Sequence, residues 1–102
     1  MVFPGIIFTV LILPSFVKVF IVLKNADFGS YMMFQSFLSA QTVSGIRNAY
    51  SKSLNDGVAE YEVEFEGKAM DLAMGLSQTT PDGLNFKVTG LTGNRITAEV
   101  VQ

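Results

Sequence analysis

Neither cysteine nor histidine occurs anywhere in this 102-residue chain. Without cysteine there is no disulfide, no thiol nucleophile and no zinc–thiolate site. The redox compartment stays open, since a cysteine-free domain is stable in either. Without histidine the commonest general base and metal ligand are missing, and with them any Ser-His or Cys-His pair. Charge is scarce as well, at 16% of residues, where about a quarter is usual. The net charge of −2 is too mild for an acidic tail or a polyanion-binding surface. No GxGxxG or Walker pattern is present, and "GLTGN" (90–94) reads as a turn, because a phosphate loop would have a helix after it. What is plentiful is core material. Apolar residues make up 49% of the chain and nine are Phe, enough for one core and one domain at this length.

The first 23 residues, "MVFPGIIFTVLILPSFVKVFIVL", hold a single charge, Lys18. The apolar run from Val2 to Leu13 has the length of a signal-peptide core and is short for a spanning helix, which needs about 20 residues. No basic segment precedes it and no small-x-small cleavage site follows cleanly. Residues 1–15 are therefore read as an apolar leader, an anchor or a truncated start, with a buried strand as the remaining alternative. Pro4, Gly5 and Pro14 weigh against a strand, because proline removes a ladder donor. The leader reading implies a protein of the cell envelope or periplasm, or a secreted one, with membrane association through residues 1–23.

From residue 16 to 102 the pattern is that of one α+β domain. "FVKVFIVLKN" (16–25) is β-branched and aromatic and reads as a central strand. Residues 26–41 follow with Asp27 as N-cap and Tyr31, Phe34 and Leu38 at helical spacing, Phe37 beside them. Residues 42–54 form a weaker strand. "NDG" (55–57) is a hairpin signal, because these residues tolerate positive φ, and 58–67 is a strand of period 2. Residues 68–80 place Ala69, Leu72, Ala73 and Leu76 on one helical face. Strands at 84–91 and 95–101 follow, joined by "TGN". The order predicts a ferredoxin-like split βαβ sandwich, βαββαβ plus a terminal strand. Its antiparallel sheet carries both helices on one face. The expected core comprises Val19, Ile21, Phe34, Leu38, Tyr61, Val63, Phe65, Leu72, Leu76, Phe86, Val88 and Ile96.

"AEYEVEFEG" (59–67) sets Glu60, Glu62, Glu64 and Glu66 at every second position. Side chains alternate along a strand, so the four carboxylates share one face and Ala59, Tyr61, Val63 and Phe65 the other. A one-residue slip would bury the carboxylates at several kcal/mol each. Neighbours two apart stand about 6.5–7 Å from each other by the strand rise, near the spacing of an inverting glycosidase pair. Such an acid needs an apolar pocket, which an open sheet face does not offer. A cation needs converging oxygens, whereas a ladder diverges. The expectation is a solvated carboxylate face, paired to Lys18 and Lys24 if those point outward. A polar protein interface and acid/base chemistry are the alternatives.

The four glutamates would also repel phosphate, and Arg47, Lys52 and Lys87 form no run, so no nucleic-acid partner is expected. Met32, Met33, Met70 and Met74 fall on the two helices and are expected to fill gaps in the core. No catalytic set, metal site or cofactor site is evident, so the chain is read as non-enzymatic.

The run "VSGIRNAYSKSLNDGVAEYEVEFEGKAMDLAMGLSQ", followed by "FKVTGLTGNRITAEV", resembles small βαββαβ domains of bacterial envelope accessory lipoproteins, of the curli- and flagellar-assembly type. These pair a strand, an NDG-like turn and a strand ending in glycine with a short Ala/Leu helix and a final hairpin. The resemblance spans about residues 17–101. It implies a periplasmic, non-catalytic protein–protein interaction or structural module. The alternative function is a small-ligand-binding regulatory domain of ferredoxin-like type. A partner, or a second copy, is expected to add a strand at an edge. One edge is 42–54, with Arg47, Ser51 and Lys52; the other is 84–91, or 95–101 if the final hairpin extends the sheet, which would make Thr97 an edge position.

Overall fold

The computed structural model describes residues 16–40, 43–79, 81 and 83–101. The leader, anchor or truncated start expected at 1–15 lies outside the described residues. Seven elements follow in the expected order: β1 (Val17–Lys24), α1 (Phe28–Ser39), β2 (Ile46–Asn55), β3 (Val58–Phe65), α2 (Ala69–Gln78), β4 (Phe86–Thr92) and β5 (Arg95–Val100). Local chemistry sets their limits. Asp27 caps α1, its carboxylate accepting the Ser30 N–H at 2.7 Å, and that bond holds its pKa below the ordinary value. Asn55 pairs with Val58 across Asp56 and Gly57, both at positive φ (52° and 77°). The β2–β3 turn is therefore a two-residue hairpin whose twist matches its strands. At the start of α2 the Asp71 carboxylate accepts the Lys68 N–H at 3.4 Å. This is half a capping box, since a lysine ammonium cannot accept in return.

The protein is α+β, with one five-stranded sheet in the order β2-β3-β1-β5-β4. The expected antiparallel sheet is corrected here. β1 runs antiparallel to β3 but parallel to β5, and β4 pairs antiparallel with β5, so the sheet is mixed. The final hairpin folds inward rather than extending the sheet, and β5 enters between β1 and β4. The reason lies in the two sequences. β5 alternates Ile96, Ala98 and Val100 into the core, which suits a strand paired on both sides. β4 carries Gly90 and a register shift between Val88 and Gly90, features tolerated best at a margin. Thr97 is accordingly no edge residue: it sits between Val22 and Gly90.

Both helices cover one face of this sheet. Val19, Ile21 and Leu23 of β1, Ala59, Tyr61, Val63 and Phe65 of β3, and Ile96 and Ala98 of β5 form one buried cluster with Phe34, Phe37, Leu38, Leu72, Ala73 and Leu76. The expected core is all here, with Phe86 and Val88 only partly covered on the outer strand. The Phe34 ring lies 5.0 Å from Tyr61 and 5.1 Å from Phe86, centroid to centroid, the latter edge-on. The Tyr61 hydroxyl donates to the Tyr31 carbonyl at 2.9 Å. The methionines are a correction: Met32, Met33, Met70 and Met74 are exposed, not core. The inward positions of both helices were already filled by Phe, Leu and Ala.

At the end of the sheet where β3 finishes, the Phe65 ring is held between two glycines. A Cβ on Gly45 would stand 2.8 Å from Phe65 Cε1 and one on Gly67 would stand 2.9 Å from Cε2, and both glycines have positive φ. Gly45→Ala should therefore add backbone strain to an overpacked contact, lowering stability by about 2–4 kcal/mol. Gly93→Ala, with positive φ but nothing within 4 Å, should lower it by only about 1 kcal/mol; urea unfolding of both variants measures the difference.

Burial pushes the Tyr61 phenol above its ordinary value of 10.0, and Tyr31 pushes the same way. The fold favours the protonated phenol. Its contribution is therefore complete below pH 10, the unfolded value, and is lost as pH rises from there through the folded one. Tyr61→Phe should lower neutral stability by about 1 kcal/mol through the lost hydrogen bond. The same variant should lose stability less steeply than the parent above pH 10, as followed by circular dichroism.

Candidate functional site

The face of the sheet away from the helices carries the glutamate row. β3 is the second strand, so the row is flanked by β2 and β1. Glu62 faces Phe20 on one side and Tyr50 on the other; Glu64 faces Lys18 and Asn48; Glu60 faces Val22 and Ser53. Glu62, Glu64 and Glu66 meet groups on the neighbouring strands. Lys18 Nζ lies 3.8 Å from Glu62 Oε2 and Lys52 Nζ 3.5 Å from Glu62 Oε1. Arg47 donates to Glu66 at 2.7 Å, and Asn48 to Glu64 at 2.7 Å. Lys24 is opposite Val58 and Glu99, beyond the end of the glutamate row.

The row does not converge. Each bonded carboxylate meets a different partner along the strand, and no group of three or more acidic side chains among the described residues is placed to hold a metal ion. No polar or charged residue among the described ones is buried. The arrangement does the work of a wetted, salt-bridged surface that also holds Phe20 and Tyr50 half-exposed between charged neighbours.

The edge residues Arg47, Ser51 and Lys52 lie on β2, which pairs with β3 alone. Two register shifts interrupt that pairing, one between Ile46 and Asn48 and one between Ser51 and Ser53. Arg47 and Lys52 are the extra residues, and both direct their cations to the glutamate row. Between the bulges, 48–51 remains a regular strand with no second strand beside it, and there the Ala49 carbonyl accepts the Gln35 side-chain amide at 3.3 Å. Ser51 is opposite Tyr61 and exposed.

One feature escaped sequence reasoning. A cleft of about 630 Å³ opens beside the Phe65 clamp, floored by Val43, Phe65 and Met74 and rimmed by the Arg47–Glu66 pair and Asp71. Gly75 makes it possible by letting the α1–β2 loop approach α2; a Cβ there would stand 2.6 Å from Val43 Cγ1. A glycine inside a helical pattern was the available signal, since it destabilises a helix and usually marks close packing. Among the described residues, no helix is long and apolar enough to cross a membrane. Compared with known proteins, the chain matches no family model, no curated protein and no solved structure.

Glu62→Gln removes one charge from two ion pairs whose lysines are more than half exposed, at 63% and 54%, while the Glu62 side chain keeps 16%. It should lower stability by less than about 1 kcal/mol, since the two lysines remain solvated, and added salt should erase the difference; chemical denaturation at low and high ionic strength reads both effects.

Proposed function

We propose that the domain is a non-catalytic protein–protein interaction or structural module of the cell envelope that receives a strand of its partner along β2. The supporting observation is that β2 has β3 as its one strand neighbour and keeps a regular stretch between its two bulges, where the Gln35 amide is the group on the Ala49 carbonyl that an added strand would displace. Unpaired N–H and C=O groups on an edge supply main-chain affinity, while the alternate side chains supply selectivity. The bulges at Arg47 and Lys52 protect the rest of the edge from unspecific pairing. The envelope assignment rests on the apolar run Val2–Leu13 and on the resemblance to accessory lipoproteins. We read the fold as a ferredoxin-like β2-β3-β1 arrangement widened by β5 between β1 and β4.

Photoreactive amino acids placed at Asn48 or Ser51 in the full chain should give crosslinks to a second polypeptide in the producing cells. The same group at Glu60 or Glu64 should give none. Crosslinks from the glutamate face alone would reject strand addition. A fusion of residues 1–25 to alkaline phosphatase should be exported by a bacterial host; a cytosolic, soluble fusion would reject the envelope assignment.

The cleft favours a second reading, a small-ligand regulatory domain, because its apolar floor and charged rim could enclose a compact polar molecule. A thermal shift with one member of a metabolite panel, abolished by Met74→Trp, would support this alternative, since a ligand of the native state alone stabilises it.

A further inference from the structure

Charge is divided unevenly between the two layers. The strands and their turns hold most of it, whereas residues 28–40 carry none and residues 69–79 carry only Asp71, with Asp27 and Lys68 at the two N-caps. The outward sides of the helices instead expose Phe28 at 69%, Met32 at 48%, Met70 at 60% and Met74 at 52%. A helix at a protein surface ordinarily turns charged and polar groups away from the core; here the outward sides set Ser36, Ser39, Asp71, Ser77 and Gln78 beside these apolar groups. Met33 extends the patch towards α2, since its methyl would meet a Cβ on Gly83 in the α2–β4 loop at 3.1 Å. At roughly 200 Å² for a whole large side chain, the five leave on the order of 500 Å² of apolar surface in water. Summed over the two helices, that is comparable with the largest single patch on a monomer, about 300–600 Å².

We propose that this helix layer is the contact surface of a homodimer, packed against the helix layer of a second copy about a two-fold axis. Charge selects the occupant. Helices that lie on lipid bring Lys and Arg to the headgroups, and neither helix has one. A protein surface of ordinary charge would lose solvation against α1 and find no ion there in return. A second copy brings a face equally poor in charge, with Asp71 the one charge inside its helices. Asp71 stays held at the first turn of α2 by the Lys68 N–H, where the helix dipole favours a carboxylate. Methionine suits a self-complementary contact, because its unbranched side chain adapts to its own image. Doubled across the axis, the patch comes to on the order of 1,000 Å², the lower limit for a specific interface. The dimer is therefore a reversible one. It leaves the glutamate face and the outer edge of β2 free, so the contact is independent of strand addition and assigns a second copy to a different surface.

Sedimentation equilibrium of the full chain tests this. Between roughly 1 and 500 µM, where interfaces of this size exchange, the mass should rise from the 11.1 kDa monomer towards its double. Met32→Glu with Met74→Glu, both at exposed positions, should keep the circular dichroism spectrum and raise the dissociation constant by at least about tenfold. Leucine at the same two positions should leave it unchanged. Amide shifts on dilution should concentrate in 28–36 and 70–78, a readout that needs no variant. A monomer throughout the range would overturn the proposal. Association that persists in the glutamate variant would overturn it too, moving the contact to the strand edges or to residues 1–15. Capture of a monomeric parent, but not of the variant, by phosphatidylcholine vesicles would overturn it in favour of lipid.

Discussion

The alternation of β3 constrains most of what surrounds it. Tyr61, Val63 and Phe65 enter the core, while Glu62 and Glu64 turn to the opposite face. Moving the strand by one position would exchange the two sets, burying carboxylates at several kcal/mol each while exposing two aromatic rings. β1 and β2 both take their register from this strand. Lys18 and Phe20 must face outward because Glu64 and Glu62 do, and Val19 and Ile21 must face inward beside Val63 and Tyr61. The helices then follow, because only one side of the sheet offers apolar area to cover. Tyr61 ties the two layers together, its ring against Phe34 and its hydroxyl on the Tyr31 carbonyl.

The elements that depend on local chemistry were legible in the sequence. Asp27 announced its helix, Asn55–Gly57 announced a tight turn, and the glutamate spacing announced a facing. The position of β5 was not legible in the same way. Two strands joined by Gly93 and Asn94 pair with each other whether the hairpin points inward or outward, so its internal pattern is indifferent to the sheet order. What decides is a comparison between the strands. Ile96, Ala98 and Val100 offer unbroken alternation, with a small residue at the middle, while the β4 pattern is broken at Thr89 and Gly90. The more regular strand takes the place with two neighbours. The Phe20 N–H, donating to the Asn94 carbonyl at 2.8 Å, joins β1 to the start of β5.

Arg47 and Lys52 show how a candidate site is read only halfway. Counting from the turn gives a parity for every residue of β2, and each bulge resets it. The bulges come from pairing ten residues of β2 with the eight of β3, which neither stretch reveals alone. Their effect is to release two cations to a row of four carboxylates while shortening the regular part of the edge. The cleft beside Phe65 was illegible for a related reason. It needs Gly45 before β2 and Gly75 inside α2, two residues well apart along the chain, to approach Phe65 and Val43.

The outward position of the methionines is not legible in the sequence, because helical periodicity identifies the side of a helix that faces inward and says little about the other. In α1 the inward positions are taken by Phe34, Phe37 and Leu38, and in α2 by Leu72, Ala73 and Leu76. Ala69 and Tyr31 complete those inward sides, and the methionines are left to face outward. The sheet makes the contrast plain. Its outward positions alternate cations with carboxylates and keep Phe20 and Tyr50 as isolated rings among them. Isolated rings on a charged face are ordinary for a solvated surface. A face that carries Phe28 and four methionines, with Asp71 as the charge within its two helices, is not, because few of its groups compete for water. The two faces of the sandwich therefore differ in kind: one has its charges satisfied in solvent, and the other is built like the inside of a larger structure.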